Sequence, residues 1–467
     1  MRRGGEGSYR SAVHPASIPP LAALGSATAL DTGDTAWLLV SAALVLLMAP
    51  GLALFYGGMV RAKSVLNMMM MTVGALAVVS VLWVLVGYGL AFGNDLGGGL
   101  LGNPSGLWGL SRLLDPTADA GRTVPVILFA IFQGLFAVIT GALISGAIAD
   151  RTRFSTWQVF IGLWSLVVYA PVAHWVFDVS GAGHTGGWLV SSVGLVDFAG
   201  GTAVEVCSGA SALAVAVVLG KRIGFGRDPM RPHNLSFVML GAGLLFFGWF
   251  GFNAGSALTA GHNAAVVFVA TLLAGGTGVL GWLAVERVRD GHPTSFGAAS
   301  GMVAGLVAIT PSCGSVSPVG AMLIGAAAGA VCAYAVGLKF RFGYDDSLDV
   351  VGVHMVGGIV GTLAIGLLGT ALAPTGVSGL FYGGGLSQLG KQTVGVVAVL
   401  AYAFVVTAAL SWALERTMGF RVHRDHEVGG VDLALHAESA YDMGPANSGR
   451  IAGHGILVGL TGQEDHR

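Results

Sequence analysis

Long apolar segments recur along most of this chain and are separated by short polar stretches. Between residues 34 and 418 the pattern predicts eleven helices, each close to the ~20 apolar residues that a membrane-spanning helix needs. The predicted segments are residues 36–57, 65–92, 124–148, 156–177, 198–219, 235–258, 264–285, 295–311, 317–338, 351–373 and 392–414. The sequence therefore predicts an all-α polytopic membrane protein.

The two ends of the chain lack this pattern. Residues 1–33 are mixed, and Arg2 and Arg3 precede a weak apolar stretch that Pro19 and Pro20 interrupt. This leaves two alternatives for the N-terminus, a cleaved signal peptide or an extension that stays in the mature chain. Residues 419–467 are polar and form a predicted cytoplasmic tail.

Basic residues are distributed unevenly over the predicted loops. If the N-terminus lies outside, the cytoplasmic side holds most of the 23 basic residues: Arg61, Lys63, Arg151, Arg153, Lys221, Arg222, Arg227, Arg231, Arg287, Arg289, Lys339, Arg341, Arg416, Arg421, Arg424, Arg450 and Arg467. The outer side holds only Arg2, Arg3, Arg10, Arg112, Arg122 and Lys391. This asymmetry follows the positive-inside rule. It predicts an N-out, C-in topology with an odd number of helices.

The composition narrows the class of protein. The chain is 54% hydrophobic and 10% charged, whereas a soluble domain is about 25% charged. A net charge of -1 argues against nucleic acid as a partner. The cysteines Cys207, Cys313 and Cys332 have no metal-binding spacing, and no nucleophile–base pair stands out. We therefore expect a protein of the lipid bilayer that is not an enzyme and has no cofactor.

Two apolar segments carry ionisable residues in a similar arrangement. Glu205 follows Asp197 in the fifth segment, and His354 follows Asp349 in the tenth. Both Glu205 and His354 come directly after a valine and four residues before a glycine. The likeness predicts a five-plus-five repeat with one extra helix. Because each repeat has an odd number of helices, the two halves are inverted relative to each other, and transporters of this kind bind substrate between them.

Ionisable side chains at this depth cost several kcal/mol unless they face a partner or a pathway. We interpret Glu205 and His354 as two parts of one buried site that shares a proton and titrates as a unit. The alternative is a buried polar pair that only orders helix packing. Asp197 also has two interpretations. Its carboxylate caps the helix through the N–H groups of residues 200–202, or it supplies a negative field for a cation.

Aromatic residues cluster in two further segments. Phe132 and Phe136 are four residues apart and lie on one helix face. The run from Gly248 to Ser256 adds Trp249 and Phe252 beside the Ser256 hydroxyl. Aromatic faces bind small cations. The alternative is that these rings only pack or face lipid.

Several of these runs, taken in this order, resemble the ammonium transporter (Amt/Mep/Rh) family in its Amt/Mep branch. The resemblance covers residues 36 to 442, approximately. The runs that carry it are Phe132-Gln-Gly, Pro171-Val-Ala-His-Trp175, Asp197-Phe-Ala-Gly-Gly-Thr202, Gly220-Lys-Arg-Ile-Gly-Phe-Gly226, Gly248-Trp-Phe-Gly-Phe-Asn-Ala-Gly-Ser256, Gly352-Val-His354 and the tail from Val431 to Asp442.

The resemblance implies a homotrimer of eleven-helix subunits, each with its own pore. It implies an outer ammonium site under the rings of Phe132, Phe136 and Trp249, with Ser256 as the hydroxyl. Phe132 and Phe252 would stack as the gate beneath this site. Asp197 would support ammonium binding from behind.

Two positions depart from the common pattern of the family. Phe177 stands where members often carry tryptophan, and an insert over residues 178–185 follows it. Glu205 stands where most members have the first of two pore histidines, while His354 keeps the second. Some members, notably fungal Mep proteins, are similar in carrying the acidic variant.

The function implied by the resemblance is ammonium transport across the cell membrane. Ammonium would be recruited outside and deprotonated, and ammonia and a proton would pass through a hydrophobic pore. Methylammonium is a further candidate substrate, and a PII-type signal protein is a candidate partner at the cytoplasmic face. Two alternatives remain, an Rh-type channel for neutral ammonia or carbon dioxide and an ammonium-sensing membrane receptor.

Overall fold

The computed structural model describes residues 29–181 and 183–441. Within them the chain is helical, and isolated bridges are the only β-structure. Its apolar helices are α1 (Thr32–Met59), α2 (Ala62–Phe92), α3 (Val126–Ile148), α4 (Phe154–Phe177), α5 (Gly201–Leu219), α6 (Leu235–Gly255), α7 (His262–Arg289), α8 (Ser295–Ile309), α9 (Pro318–Phe342), α10 (Val351–Leu368) and α11 (Ser387–Thr417). Among the described residues, ten of these are long and apolar enough to cross a membrane, and α8 is shorter.

Each predicted apolar segment overlaps one of these helices. The largest differences are at α11, which begins at Ser387 and not near residue 392, and at α10, which ends at Leu368 and not near residue 373. The chain turns there because the N–H of Thr370 bonds to the carbonyl of Ser315 and not to a carbonyl within α10. Of the predicted N-terminal segment 1–33, residues 1–28 lie outside the described residues, as does the tail beyond Tyr441, and α1 begins within it at Thr32.

Glycine allows several helices to approach each other at backbone distance. Helix α7 packs along both α8 and α9. A β-carbon on Gly329 of α9 would lie 2.1 Å from the carbonyl oxygen of Gly278 in α7. A β-carbon on Gly305 of α8 would lie 2.2 Å from the carbonyl oxygen of Ala274. Small residues at such contacts are typical of helix packing in lipid.

One end of the helix bundle is held by charged loops. The guanidinium of Arg222, after α5, donates to Asp345, after α9, at 2.9 Å and to Asp150, after α3, at 3.1 Å. Arg61, after α1, also donates to Asp150 at 3.1 Å. Although burial opposes it, the hydrogen bonds from Arg222 and the charge of Arg151 hold the pKa of Asp345 below its usual value. The loops that follow α1, α3, α5 and α9 therefore meet at one end.

The tail returns to the same end through two short helices, α12 (Arg424–Gly429) and α13 (Val431–His436). The carboxylate of Asp432 accepts the N–H groups of Leu66 and Asn67 at 3.0 and 2.8 Å. The carboxylate of Glu427 accepts the N–H of Ile223 at 2.6 Å. The tail thus links the start of α2 to the loop after α5.

The opposite end contains the start of α1 and the loops after α2, α4 and α6. Asp34, at the start of α1, accepts the N–H of Ala260, which follows α6. The N–H of Asp95, after α2, bonds to the carbonyl of Thr185, after α4. Within the insert, both carboxylate oxygens of Asp178 lie 2.9 Å from His184 Nε2. These contacts fold the insert onto the loop after α2.

Candidate functional site

The centre of the bundle contains a buried pair of ionisable side chains. Nδ1 of His354 lies 2.7 Å from Oε2 of Glu205, and the two residues are only 4% and 1% exposed. Each residue lies on a π-helical turn, Gly201–Val206 in α5 and Val351–Met355 in α10. Wide turns of this kind inside α-helices are frequent at functional sites. The structure therefore brings the fifth and tenth predicted segments together through these two side chains.

Asp197 explains how the first of these turns begins. Its carboxylate accepts the N–H groups of Gly200, Gly201 and Thr202 at 2.7 to 2.8 Å, and also the Thr202 hydroxyl. Gly200 takes a left-handed conformation with φ of 112°, which suits glycine. Both oxygens of Asp197 are thus used to cap the start of α5.

Asp346 caps α10 in the same way. Its carboxylate accepts the N–H groups of Val350 and Val351 at 3.1 and 2.7 Å. It precedes His354 by eight residues, as Asp197 precedes Glu205. The sequence comparison that matched Asp197 with Asp349 is therefore wrong in this detail, because Asp349 pairs with Lys339 at 2.6 Å. The eight-residue spacing is the signal in the sequence by which Asp346 can be identified.

A narrow enclosed cavity extends from the Glu205–His354 pair towards the end of the bundle at which Asp34 meets Ala260. Its free volume is about 10 Å³, close to the minimum for one water molecule. The only ionisable groups in its wall are the pair, and the wall consists of Met48, Leu52, Phe55, Ile139, Leu143, Val204, Glu205, Leu245, Trp249, Phe252, Val303 and His354. A hydrated cation does not fit such a cavity, because an ion stripped of water there has too few polar partners.

Two stacked rings lie at this end of the cavity, and one of them, Phe252, is part of its wall. The rings of Phe136 and Phe252 lie 4.1 Å apart between centroids, with an angle of 15° between their planes. The expectation that Phe132 stacks on Phe252 is wrong. Phe132 lies one turn earlier in α3 and meets Phe136 edge-on, at 5.0 Å and 61°. The stacked pair, named the ring gate below, is therefore Phe136 and Phe252, and Phe132 lies beside it on the side away from the Glu205–His354 pair.

Phe177 and Ser256 lie beside the gate. The ring of Phe177 stands edge-on to Phe136, with centroids 6.4 Å apart and planes at 86°. Ser256 follows Phe252 by one helical turn, and its hydroxyl donates to the carbonyl of Phe252 at 2.8 Å. The hydroxyl oxygen keeps lone pairs that can accept an N–H bond.

Trp249 lies elsewhere than the sequence suggested. It precedes Phe252 by three residues in α6, whereas Ser256 follows Phe252, so Trp249 is on the side of the gate that faces the Glu205–His354 pair. Its indole N–H donates to the hydroxyl of Thr310 at 2.8 Å, and its ring lines the central cavity. Trp249 is therefore a wall of the cavity and not a part of an outer aromatic cluster.

The geometry so far describes a polytopic helical protein with an apolar channel, a ring gate and a central carboxylate–imidazole pair. A family model described as the Ammonium Transporter Family matches residues 36–441. The "Ammonium transporter" of Mycobacterium tuberculosis is 56% identical over 438 residues, which cover 89% of this chain and 92% of that protein.

Solved structures agree in fold. The crystal structure of Saccharomyces cerevisiae Mep2 superposes with a TM-score of 0.78 at 35% identity and covers 85% of this chain and 89% of that chain. A structure named "Sensor Amt Protein" superposes with a TM-score of 0.79 at 28% identity, over 86% and 98% of the two chains. The chain therefore belongs to the ammonium transporter family.

Proposed function

We propose that this chain is an ammonium transporter of the cell membrane that conducts ammonia and a proton through a pore centred on Glu205 and His354. The observation that carries the proposal is the buried hydrogen bond between these two side chains in a cavity whose wall is otherwise apolar. Relatives that are named transporters point to a role other than catalysis.

Recruitment of the cation takes place on the outer side of the gate. The rings of Phe132 and Phe177 each stand edge-on to Phe136 in this region, and the Ser256 hydroxyl oxygen is the proposed acceptor. An aromatic cluster attracts a small cation through the negative faces of its rings. Asp197 adds a fixed negative charge a short distance away while it caps α5.

Deprotonation follows at the gate, because the cavity beneath it favours neutral ammonia over a hydrated cation. One N–H bond of ammonium breaks, and the proton passes to the carboxylate of Glu205. The proton then crosses the 2.7 Å hydrogen bond to His354 Nδ1, and ammonia moves past the pair along the apolar wall. Glu205 and His354 are thus proposed as the proton-carrying residues, with Trp249 and Phe252 as walls of the ammonia path.

The proposed topology has eleven membrane crossings with the N-terminus outside and the C-terminus inside. Its support is that loops after α1, α3, α5 and α9 meet at one end, whereas loops after α2 and α4 meet at the other. The end that holds Arg61 and Arg222 is proposed as cytoplasmic under the positive-inside rule. Packing of α1 along α6, and of α5 against α10, supports a five-plus-five inverted repeat in which α11 is the extra helix.

We further propose a homotrimer. A wide apolar groove lies between α7, the start of α9 and residues 370–382, and Leu372 is 94% exposed at its edge. An adjacent subunit would cover such a groove. The division into an N-terminal extension (1–33), a membrane domain (34–418) and a cytoplasmic tail (419–467) is part of the same proposal.

The cytoplasmic loop over residues 221–234 is the proposed contact for a PII-type signal protein. In this chain the tail is already seated beside that loop, because Glu427 accepts the N–H of Ile223 and Tyr441 meets His233. A partner at this face would therefore touch the tail and the loop together. Binding of a purified PII-type protein to the reconstituted transporter tests this part separately.

An ammonium-sensing receptor is the second candidate, because the structure named "Sensor Amt Protein" is similar over most of both chains. An Rh-type channel for neutral ammonia or carbon dioxide is the third. A receptor moves no substrate, and a channel for neutral gas moves no charge, so neither produces an ammonium-dependent current. Charge movement therefore separates the candidates.

The test is the current through the purified protein in liposomes on a solid-supported membrane, with ammonium and pH varied independently. A transporter of the proposed kind gives an ammonium-dependent current that empty liposomes lack, and methylammonium gives a smaller one. Uptake of ammonia without current would favour the gas channel. The absence of both uptake and current would favour the receptor.

A further inference from the structure

A second narrow cavity lies on the inner side of His354. It shares Phe55, Val303 and His354 with the central cavity and is likewise enclosed. At its far end it reaches Asp349, whose side chain is 17% exposed. The two cavities therefore form a line from the gate, past the Glu205–His354 pair, to a carboxylate next to the charged end of the bundle.

Asp349 is placed there by an unusual backbone. Its φ is 65°, a left-handed conformation that few side chains adopt without strain and that often occurs at functional sites. Its carbonyl accepts the N–H of Val353, the residue before His354, at 2.9 Å. The position of Asp349 relative to His354 is thus fixed by the first turn of α10.

Asp349 differs from its neighbour Asp346 in what its carboxylate does. The two oxygens of Asp346 accept N–H groups of α10, so that carboxylate is committed to capping. The Asp349 carboxylate receives one bond, at Oδ1, from the ammonium of Lys339, and its second oxygen has no such structural duty. Lys339 is 12% exposed in its side chain, so the ion pair lies at the border between cavity and solvent.

The other polar groups of the inner cavity are poor carriers for a proton. The hydroxyl of Tyr56 already donates to the carbonyl of Leu143, and Ser300 is a neutral hydroxyl. Among the described residues that line this cavity, the carboxylate of Asp349 and the imidazole of His354 remain as groups that can carry a proton. On His354 the Nδ1 atom is used by Glu205, which leaves Nε2 to pass the proton onward.

We propose that Asp349 is the residue through which the transported proton leaves for the cytoplasm, with Lys339 as its positioning partner. The inference rests on the proposed transport function. The proton leaves Nε2 of His354, passes through water in the inner cavity and joins the Asp349 carboxylate. It then leaves for cytoplasmic water, and the Lys339 ammonium stabilises the carboxylate that remains.

The experiment compares Asp349→Asn, Asp349→Gly and Asp349→Glu with the wild type in liposomes on a solid-supported membrane. Asparagine and glycine both tolerate the left-handed backbone, so each removes the carboxylate without a steric reason to misfold. We expect both to lower the ammonium current at least ~10-fold, as for loss of a proton-transfer group. Asp349→Glu restores the carboxylate and is expected to recover most of the current.

A matched control is Asp290→Asn. Asp290 also pairs with a basic residue, Arg289, at 2.8 Å at the same end of the bundle, but it is exposed and lines neither cavity. The Asp290→Asn variant should therefore carry the same ammonium current as the wild type. A second readout is the ratio of currents in H₂O and D₂O, which should rise in Asp349→Asn because proton exit becomes limiting; a purely structural defect would lower both currents equally.

The outcomes separate the two levels of inference. If the wild type carries no ammonium current, the proposed transport function fails. If the wild type carries current and both Asp349→Asn and Asp349→Gly match Asp290→Asn, the assignment of Asp349 is overturned. An unchanged isotope ratio in a variant that has lost current, or a failure of Asp349→Glu to recover it, overturns the assignment as well.

Discussion

Gly209 lies directly against Met355, so that a β-carbon on Gly209 would be 2.5 Å from the Met355 backbone nitrogen. The reciprocal contact is made by Gly358, where a β-carbon would be 2.8 Å from the β-carbon of Glu205. Helices α5 and α10 therefore cross at backbone distance beside the central pair. The length of the Glu205–His354 hydrogen bond depends on this crossing.

The first prediction concerns that crossing. Gly209→Ala forces α5 and α10 apart, because the methyl group meets backbone that cannot yield. We expect a loss of about 1–3 kcal/mol of stability and a strong fall in ammonium current. Gly276→Ala is the control, since a β-carbon at Gly276 of α7 meets nothing within 4 Å. Equal melting temperatures and currents in the two variants would contradict the prediction.

The second prediction concerns the charge of Glu205. Glu205→Gln keeps the shape of the side chain but removes the group that takes the proton, so we expect the ammonium current to fall about 100-fold. Glu205→His restores a titratable group, and we expect it to recover current with an altered dependence on pH and less potassium conductance. Solid-supported membrane recordings across pH check this. Unchanged pH dependence and selectivity in both variants would remove Glu205 from the mechanism.

The third prediction concerns the ring gate. Phe136→Ala removes one of the two stacked rings and opens the cavity to water, so we expect selectivity for ammonium over potassium to fall. The measurement is the ratio of ammonium to potassium current. Phe250→Ala is a matched control, because Phe250 stacks on Phe268 at 4.0 Å on the same helix as Phe252 but lines no part of the cavity. A similar change in both variants would mean that the stacking at Phe136 has no special role.

The fourth prediction concerns pH. Burial raises the pKa of Asp346 to about 6, against the opposing effect of the Lys339 ammonium. Because the pKa in the folded protein is higher than the usual value of about 4, the contribution of Asp346 to stability is fully present below that value. It is lost as the pH rises through about 6.

The measurement is the melting temperature in detergent between about pH 4 and pH 7. We expect the wild type to lose stability over this range relative to Asp346→Asn, which cannot titrate. Asp425→Asn, at an exposed position of the tail, should follow the wild type. Parallel curves for the wild type and Asp346→Asn would show that burial of Asp346 has no effect on its titration.

The helices were predictable because a segment that crosses lipid must pair its backbone N–H and C=O groups within itself, which a helix does. Hydropathy alone therefore identifies each helix. The pairing of Glu205 and His354 was also within reach, since ionisable residues at such depth are rare and need partners. The cap at Asp197 followed from its position before Gly200, Gly201 and Thr202.

The order of rings along the pore was not predictable. Phe132 and Phe136 lie on the same face of α3, and the sequence does not specify how far α6 is shifted along α3. That shift decides that Phe136 meets Phe252 and that Trp249 lies on the inner side of the gate. The eight-residue spacing before His354 identifies Asp346, but the position of Asp349 depends on its left-handed backbone, which the sequence does not reveal for an aspartate.

The carboxylate of Asp432 binds the start of the second helix, and that of Glu427 binds the loop after the fifth helix. Those helices leave the ribosome long before the tail does. The cytoplasmic end of the bundle therefore reaches its final structure only after these two residues have been synthesised. If synthesis stops earlier, the membrane helices are present but their cytoplasmic contacts with the tail are missing.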